Sequence, residues 1–231
     1  MQAEQIDFAA LIEQDRAERQ KLEWQGTLLD YLELVKAKPQ LAELSHLRLY
    51  NMIADPGVRD LDLEAEPRAK RVFGDEPVKI YEFFKDEFFG MERTLEKIAR
   101  YFHSAAMGGE ESRQVLYLMG PVGSGKSSLV ERLKRGLEEL PPIYVIDGCP
   151  IYEQPLHLIP RHLRQAFEEM LGARIEGDLC PACRWRLKEE FQGRYEKVPV
   201  KTVSFSKRAR RGIGVVPPVD PNSSCSAPNS R

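Results

Sequence analysis

Residues 115–137 carry the prediction of the fold class and read VLYLMGPVGSGKSSLVERLKRGL. Val115–Met119 is a short continuous apolar run, which is typical of a strand buried on both faces of a sheet. A glycine-rich loop follows, and after it apolar residues recur at helical spacing on one face, at Leu129, Val130, Leu133, Leu137 and Leu140. Ile143–Ile146 is a second apolar run. The order strand, loop, helix, strand predicts a βαβ unit and an α/β fold with a parallel sheet flanked by helices.

The loop GPVGSGKS at 120–127 matches G-x-x-x-x-G-K-[ST], the pattern of a phosphate-binding loop. Its glycines allow successive backbone N–H groups to curl around phosphates at a helix N-terminus, where the helix dipole favours an anion. Lys126 can then reach the β- and γ-phosphates, and the Ser127 hydroxyl can hold Mg²⁺. The alternative is a glycine-rich turn with a solvated lysine. We predict that ATP and Mg²⁺ bind at Gly120, Pro121, Val122, Gly123, Ser124, Gly125, Lys126, Ser127 and Ser128.

Composition and charge exclude several classes of protein. The chain has 231 residues, of which 42% are apolar and 30% charged, and it contains no apolar run near the ~20 residues that span a bilayer. The first residues lack a basic region followed by an apolar stretch, so we expect no export signal and a cytoplasmic protein. Residues 207–231 contain five basic residues and one acid, which leaves a net charge of −6 on residues 1–206. That acidic body argues against nucleic acid as the main partner.

Helices are predicted on the N-terminal side of the loop. Thr27 can cap a helix that Pro39 stops, and a second helix begins at Ser45 and ends near Asp55. A third has its apolar positions at i, i+3, i+4 and i+7, namely Leu95, Ile98, Ala99 and Phe102. Phe88–Glu92 precedes this third helix and resembles the element that covers the adenine in AAA+ ATPases. The alternative is that both phenylalanines are ordinary core residues.

A more specific resemblance extends from about residue 25 to about residue 223. The chain resembles the N-terminal part of the PrkA family, bacterial serine protein kinases with an AAA-type ATP-binding domain, through Tyr31–Leu34, Arg48–Ile53, Phe88–Glu92, Leu116–Gly123 and Gly177–Cys183. The runs Gly212–Gly214 and Asp220–Ser223 add to the likeness. Family members are considerably longer, and residues 224–231 depart from the family pattern. We therefore interpret the chain as a shortened family member.

The resemblance implies a phosphate-loop NTPase fold of AAA+ type and, in the complete protein, ATP-dependent phosphorylation of a protein serine. The predicted organisation is a small helical N-terminal region with a linker (1–75), an incomplete AAA-type ATP-binding domain (76–206) and a basic, Pro/Ser-rich tail (207–231). The resemblance implies a protein with an acceptor serine as partner. A homo-oligomer stays an open alternative, because the sequence does not determine the oligomeric state, and the composition predicts no membrane partner. Two other functions stay open: an AAA+ ATPase that remodels a protein partner, and a nucleotide-binding regulatory fragment without catalysis. No catalytic base can be named from the sequence.

Two further segments have alternative interpretations. Cys180 and Cys183, in Cys-Pro-Ala-Cys, have the spacing of half a zinc site, and His157 and His162 lie upstream. A closed zinc site needs four ligands, so free buried thiols, or a turn packed beneath Trp185, are the alternatives. The basic run 207–211 can contact nucleic acid or the phosphates of a neighbouring subunit's nucleotide, whereas a solvated basic loop is the simpler interpretation.

Overall fold

The computed structural model describes residues 23–61 and 78–206, together with Glu13, Arg211, Gly212 and Gly214. Most of the predicted linker, at 62–77, lies outside the described residues. So do the basic residues at 207–210 and the tail beyond Gly214. None of the helices within the described ranges is long and apolar enough to cross a membrane.

The described residues form α-helices and short strands joined by 3-10 turns. The helices are α1 (Leu28–Ala37), α2 (Ser45–Ala54), α3 (Glu92–Ala106), α4 (Lys126–Glu139), α5 (Arg164–Leu171) and α6 (Pro181–Glu189). The strands are β1 (Gln25–Thr27), β2 (Val58–Asp60), β3 (Lys79–Tyr81), β4 (Ile143–Ile146) and β5 (Pro199–Val203).

The sheets are antiparallel, so the prediction of a parallel sheet is wrong for the described strands. One sheet has the order β1-β5-β4, with Gly26 and Ile146 on either side of Val200. The other pairs β2 with β3. The apolar run of β4 was predicted as a strand and is one, but its partner is β5, some fifty residues later in the chain. A local apolar run indicates burial and contains no information on the direction of its neighbour.

The strand predicted at Val115–Met119 is also wrong. This segment has no regular structure and pairs with none of the described strands. Val115 is 89% exposed, and Tyr117 and Met119 are similarly exposed, whereas Leu118 packs against a core. A strand of a parallel sheet requires hydrogen-bonded neighbours, and without one the apolar run alone does not impose extended, buried backbone.

The predicted helices are confirmed where an apolar face recurs at helical spacing. Thr27 caps α1 with a reciprocal pair of hydrogen bonds, in which its hydroxyl accepts from the Asp30 N–H and the Asp30 carboxylate accepts from the Thr27 N–H. The four apolar positions predicted for α3 are all buried. The α4 helix buries Leu129, Leu133 and Leu137, and it ends one residue before Leu140 and the Pro141-Pro142 pair.

Two apolar cores lie beneath these elements. The first contains the buried face of α1, strands β4 and β5, and the loop after β4. The second joins α2, α3, α4 and the aromatic segment 81–88. Gly136 of α4 allows close approach in this second core, because a Cβ there would lie 2.7 Å from Met52 Sδ and from Phe83 Cζ. Helix α4, which follows the glycine-rich loop, is therefore packed closely into the second core.

Candidate nucleotide-binding site

The loop 120–125 leads directly into α4, whose first residue is Lys126. Gly123 and Gly125 have φ values of +82° and +80°, in the left-handed region that favours glycine. Gly125 is the N-cap of α4, and its carbonyl accepts from the Leu129 N–H at 2.9 Å. The sequence therefore places glycine at the positions of this loop where the backbone requires it.

The Lys126 ammonium lies over its own loop. Its Nζ donates to the carbonyl oxygens of Gly120 and Pro121, both at 2.7 Å, and to Ser124 Oγ at 3.0 Å. These three acceptors match the three N–H groups of an ammonium. None of the described carboxylates forms an ion pair with Lys126. The positive charge of Lys126 is therefore held at the loop by neutral oxygens.

A cavity of about 780 Å³ lies against the loop, within the usual size range of small-molecule sites. One side is formed by the loop and the start of α4, including Gly120, Pro121, Gly123, Ser124, Gly125, Lys126 and Ser128. The opposite side is formed by the segment 87–91 and α3, with Phe88, Phe89, Met91, Thr94 and Lys97. Residues 117–119 complete the wall. The cavity thus joins the loop to the aromatic element that precedes α3.

The charge of the cavity wall favours an anion. Lys97 and Lys126 are its lysines, and Glu87 is the only acidic residue among the described lining residues. The Glu87 carboxylate is paired with the Arg135 guanidinium, and Arg132 Nε lies 3.6 Å from its other oxygen. Because these arginines neutralise Glu87, the two lysines leave the wall with a net positive charge.

Arg132 joins α4 to the aromatic segment 81–88, which continues into the other wall of the cavity at 87–91. Its guanidinium lies 3.9 Å from the centre of the Phe83 ring, and its Nε donates to the Phe83 carbonyl at 3.1 Å. Met91 and Phe88 then approach the loop itself, since a Cβ on Gly125 would lie 3.4 Å from Met91 Sδ and 3.9 Å from Phe88 Cε1. These contacts fix the distance between the two walls.

Comparison with known proteins agrees with the sequence motifs of the chain. The model of the PrkA AAA domain matches residues 26–227 of the chain. The chain belongs to the PrkA AAA domain family. It is similar to the ATP-dependent protease PrkA of Bacillus subtilis strain 168, with 44% identity over 224 residues that cover 94% of this chain and 33% of that protein. The resemblance to the PrkA family drawn from the sequence is thereby confirmed.

A second relative is named for a different activity. The serine/threonine kinase YeaG of Escherichia coli K12 is 37% identical over 182 residues, which cover 76% of this chain and 28% of that protein. The chain thus spans about a third of the length of these PrkA-family relatives. No solved structure matches the chain.

Most of the residues predicted to hold nucleotide lie together on the cavity wall, and two do not. Val122 is fully exposed at the tip of the loop, and Ser127 is exposed on the first turn of α4; neither is among the lining residues. Phe88 is buried in the second core, as the core alternative predicts, whereas Phe89 is 79% exposed on the cavity wall, which that alternative does not predict. Thr94 and Lys97 were missed, although their spacing of three residues places them on one face of α3.

The cysteine pair lies apart from this cavity, in the first core. Cys180 and Cys183 are joined there by Cys149 and by the Glu153 carboxylate, neither of which the sequence analysis selected. His157 pairs with Glu153, whereas His162 is exposed. Trp185 is 61% exposed, so the burial of the pair comes from the first core. Burial raises the pKa of the Cys183 thiol, and the neighbouring Cys149 and Cys180 sulfurs raise it further.

Proposed function

We propose that the chain binds Mg-ATP in the cavity beside the glycine-rich loop. In the complete protein, this binding would serve the phosphorylation of protein serine. The observation that carries the proposal is the loop itself. GPVGSGKS turns through two left-handed glycines into the N-terminus of α4 and forms one wall of a cavity with a net positive charge. Membership of the PrkA AAA domain family supports ATP and Mg²⁺ as the ligands.

The residues of the loop have distinct parts in this proposal. Backbone N–H groups at the start of α4 bind phosphate oxygens, and the helix dipole adds to the attraction. Lys126 would exchange its carbonyl partners for the β- and γ-phosphates. The Ser127 hydroxyl, which is exposed on the first turn of α4 outside the cavity lining, would have to turn towards the phosphates to hold Mg²⁺. Phe89 and Tyr117 present exposed aromatic rings to the same cavity, which suits a stacked adenine. Bound ATP supplies the phosphoryl group.

The names of the relatives favour a second candidate. YeaG is named a serine/threonine kinase, whereas the Bacillus subtilis relative is named an ATP-dependent protease. ATP-driven proteolysis is therefore a second candidate activity of the complete protein, alongside serine phosphorylation. Partner remodelling by an AAA+ ATPase requires the same ATP-binding site. A regulatory fragment that binds ATP without turnover is the remaining alternative.

We expect slow turnover from the 231-residue chain by itself. Phosphoryl transfer needs a carboxylate for Mg²⁺, a group that orients the nucleophile and, in most cases, an arginine on the developing charge. The one described carboxylate on the cavity wall, Glu87, is engaged by Arg132 and Arg135. An arginine finger alone is worth roughly 10³–10⁵ in rate, so a site that lacks several such groups should react near background.

The fate of the γ-phosphate of labelled ATP tests these alternatives. The experiment compares the 231-residue chain with a chimera in which it replaces the matching third of the Bacillus subtilis relative, with casein as acceptor. We expect no label transfer by the chain and serine labelling by the chimera. Phosphate release with cleavage of casein would establish the protease instead. Lys126→Ala in both proteins is the control, and label that survives this change does not come from the cavity.

A further inference from the structure

Apart from the nucleotide cavity, the described residues contain a second group of reactive side chains. We call it the thiol cluster and define it as Cys149, Glu153, Cys180 and Cys183. One ligand atom from each residue, three sulfurs and a carboxylate oxygen, lies within 4.8 Å of all the others. Cys149, Glu153 and Cys183 are buried, and Cys180 is half-buried. The cluster joins the loop after β4 to the N-terminus of α6, about thirty residues later. It is separate in sequence from every residue of the nucleotide cavity.

The sulfurs are arranged as metal ligands rather than as packed apolar groups. Cys149 Sγ and Cys180 Sγ are 4.0 Å apart. Two thiolates at about 2.3 Å from a tetrahedral zinc ion are about 3.8 Å apart, so a small movement brings both into coordination distance. Cys180 Sγ accepts from the Cys183 N–H at 3.3 Å, and Cys149 Sγ accepts from the Glu153 N–H at 3.4 Å. Such N–H donors stabilise a thiolate.

Glu153 provides the fourth ligand atom. Its side chain is only 5% exposed, and a buried carboxylate requires a partner charge or several hydrogen bonds. Oε1 accepts from the Cys180 N–H at 2.8 Å and faces His157 Nδ1 at 3.1 Å. Oε2 accepts a hydrogen bond from the Cys149 thiol at 3.9 Å. Oε1 is therefore held by a backbone N–H, while Oε2 lies beside a thiol that would give up its proton to bind a cation.

We propose that the thiol cluster binds one structural zinc ion. Three sulfurs and one carboxylate oxygen complete a tetrahedral shell, and soft thiolates select zinc over magnesium or calcium. The shell leaves no open position for a substrate, so the ion has a structural role. It fastens α6 to the loop after β4 and thereby to the first core. His157 is a positioning residue, because it holds the Glu153 carboxylate in place without touching the metal.

The metal content of the 231-residue chain tests the proposal. We expect about one zinc per chain after expression in zinc-supplemented medium and purification without chelator, measured by elemental mass spectrometry. Cys183→Ser should remove the zinc. Cys225→Ser is the matched control, because Cys225 lies outside the described residues and has no part in the proposal, and it should retain the metal. Zinc-free wild-type protein, an iron–sulfur cluster, or a disulfide between cluster cysteines would each overturn the proposal.

If Cys183→Ser does not fold, cobalt binding to the wild-type chain and a second variant still test the proposal. Co²⁺ added to metal-free wild-type protein should give the visible absorption of a tetrahedral thiolate site at one equivalent. Absorption without a sulfur-to-cobalt charge-transfer band would contradict the ligand set. His157→Ala leaves all four ligands in place, and we expect zinc affinity to fall by about 10- to 100-fold with the cobalt spectrum unchanged. Unchanged zinc affinity in His157→Ala would show that His157 does not position Glu153 for the metal.

Discussion

At the residue scale, Phe89 differs from the other phenylalanines of its segment. Its ring is 79% exposed on the cavity wall, although Phe83, Phe84 and Phe88 in the same segment are buried. The ring contributes little to the core, and it lies on the wall of the same cavity as the glycine-rich loop, where a planar base can stack on it. We therefore infer that Phe89 contacts the base of the bound nucleotide.

Replacing Phe89 by alanine should weaken ATP binding without lowering stability. Loss of one base–aromatic stack costs about 1–3 kcal/mol, so we expect the dissociation constant measured by calorimetry to rise about 5- to 150-fold. The melting temperature without nucleotide should stay the same. Met170→Ala, at a residue of α5 that is 63% exposed and does not line the cavity, is the matched control. Equal affinity in wild type and Phe89→Ala would show that the base lies elsewhere.

Single residues were predictable where a backbone conformation or a fixed spacing determines the residue type. The left-handed positions of Gly123 and Gly125 belong to this group, because few other residues adopt them without strain. The partners of Cys180 and Cys183 were not predictable, because Cys149 lies about thirty residues earlier in the chain and approaches them only in the folded structure. A signal existed: Cys149, Glu153 and His157 follow each other at intervals of four residues, with the cysteine pair downstream.

At the element scale, the helices followed from the sequence and the sheet did not. Helices α1, α3 and α4 are stabilised by contacts within one segment and by one apolar face, and both are visible in the local pattern. Strand pairing depends on distant segments, such as Gln25 with Lys201. The apolar run at 115–119 resembled a buried strand, yet Tyr117, Leu118 and Met119 line the cavity instead. The periodicity of apolar residues shows which face of a helix or strand is apolar, but it does not determine which residues of two strands pair with each other.

Helix α1 offers a test of local stabilisation. In Thr27→Ala the hydroxyl that accepts from the Asp30 N–H is lost, and we expect the free energy of unfolding to fall by about 1 kcal/mol, within a range of 0.5–2. Urea denaturation followed by circular dichroism measures the change. Thr27→Ser preserves the hydroxyl and should stay within a few tenths of a kcal/mol of wild type. A loss of equal size in both variants would assign the effect to the methyl group and not to the cap.

At the scale of the whole molecule, the described residues form two main cores with a different proposed ligand at each, beside a small cluster of Leu61 and Val78. The second core supports α4, the glycine-rich loop and the aromatic wall, and we propose that Mg-ATP binds there. The first core encloses the thiol cluster. Strand β1, from the start of the described chain, pairs with β5 near its end, so residues that the sequence analysis divided between two regions share one sheet. The family match over residues 26–227 includes both cores.

The effect of Mg-ATP on thermal unfolding tests whether the glycine-rich loop binds nucleotide. At 100 times its dissociation constant, a ligand that binds only the folded state adds about 2.7 kcal/mol, which for a chain of this size raises the melting temperature by roughly 5–10 °C. We predict this rise in wild type and in Lys36→Ala, whose lysine is exposed at the end of α1. In Lys126→Ala most of the rise should be lost at the same nucleotide concentration, because the charge that faces the phosphates is gone. An equal rise in wild type and Lys126→Ala, or no rise in wild type, would contradict the assignment of the loop as the nucleotide site.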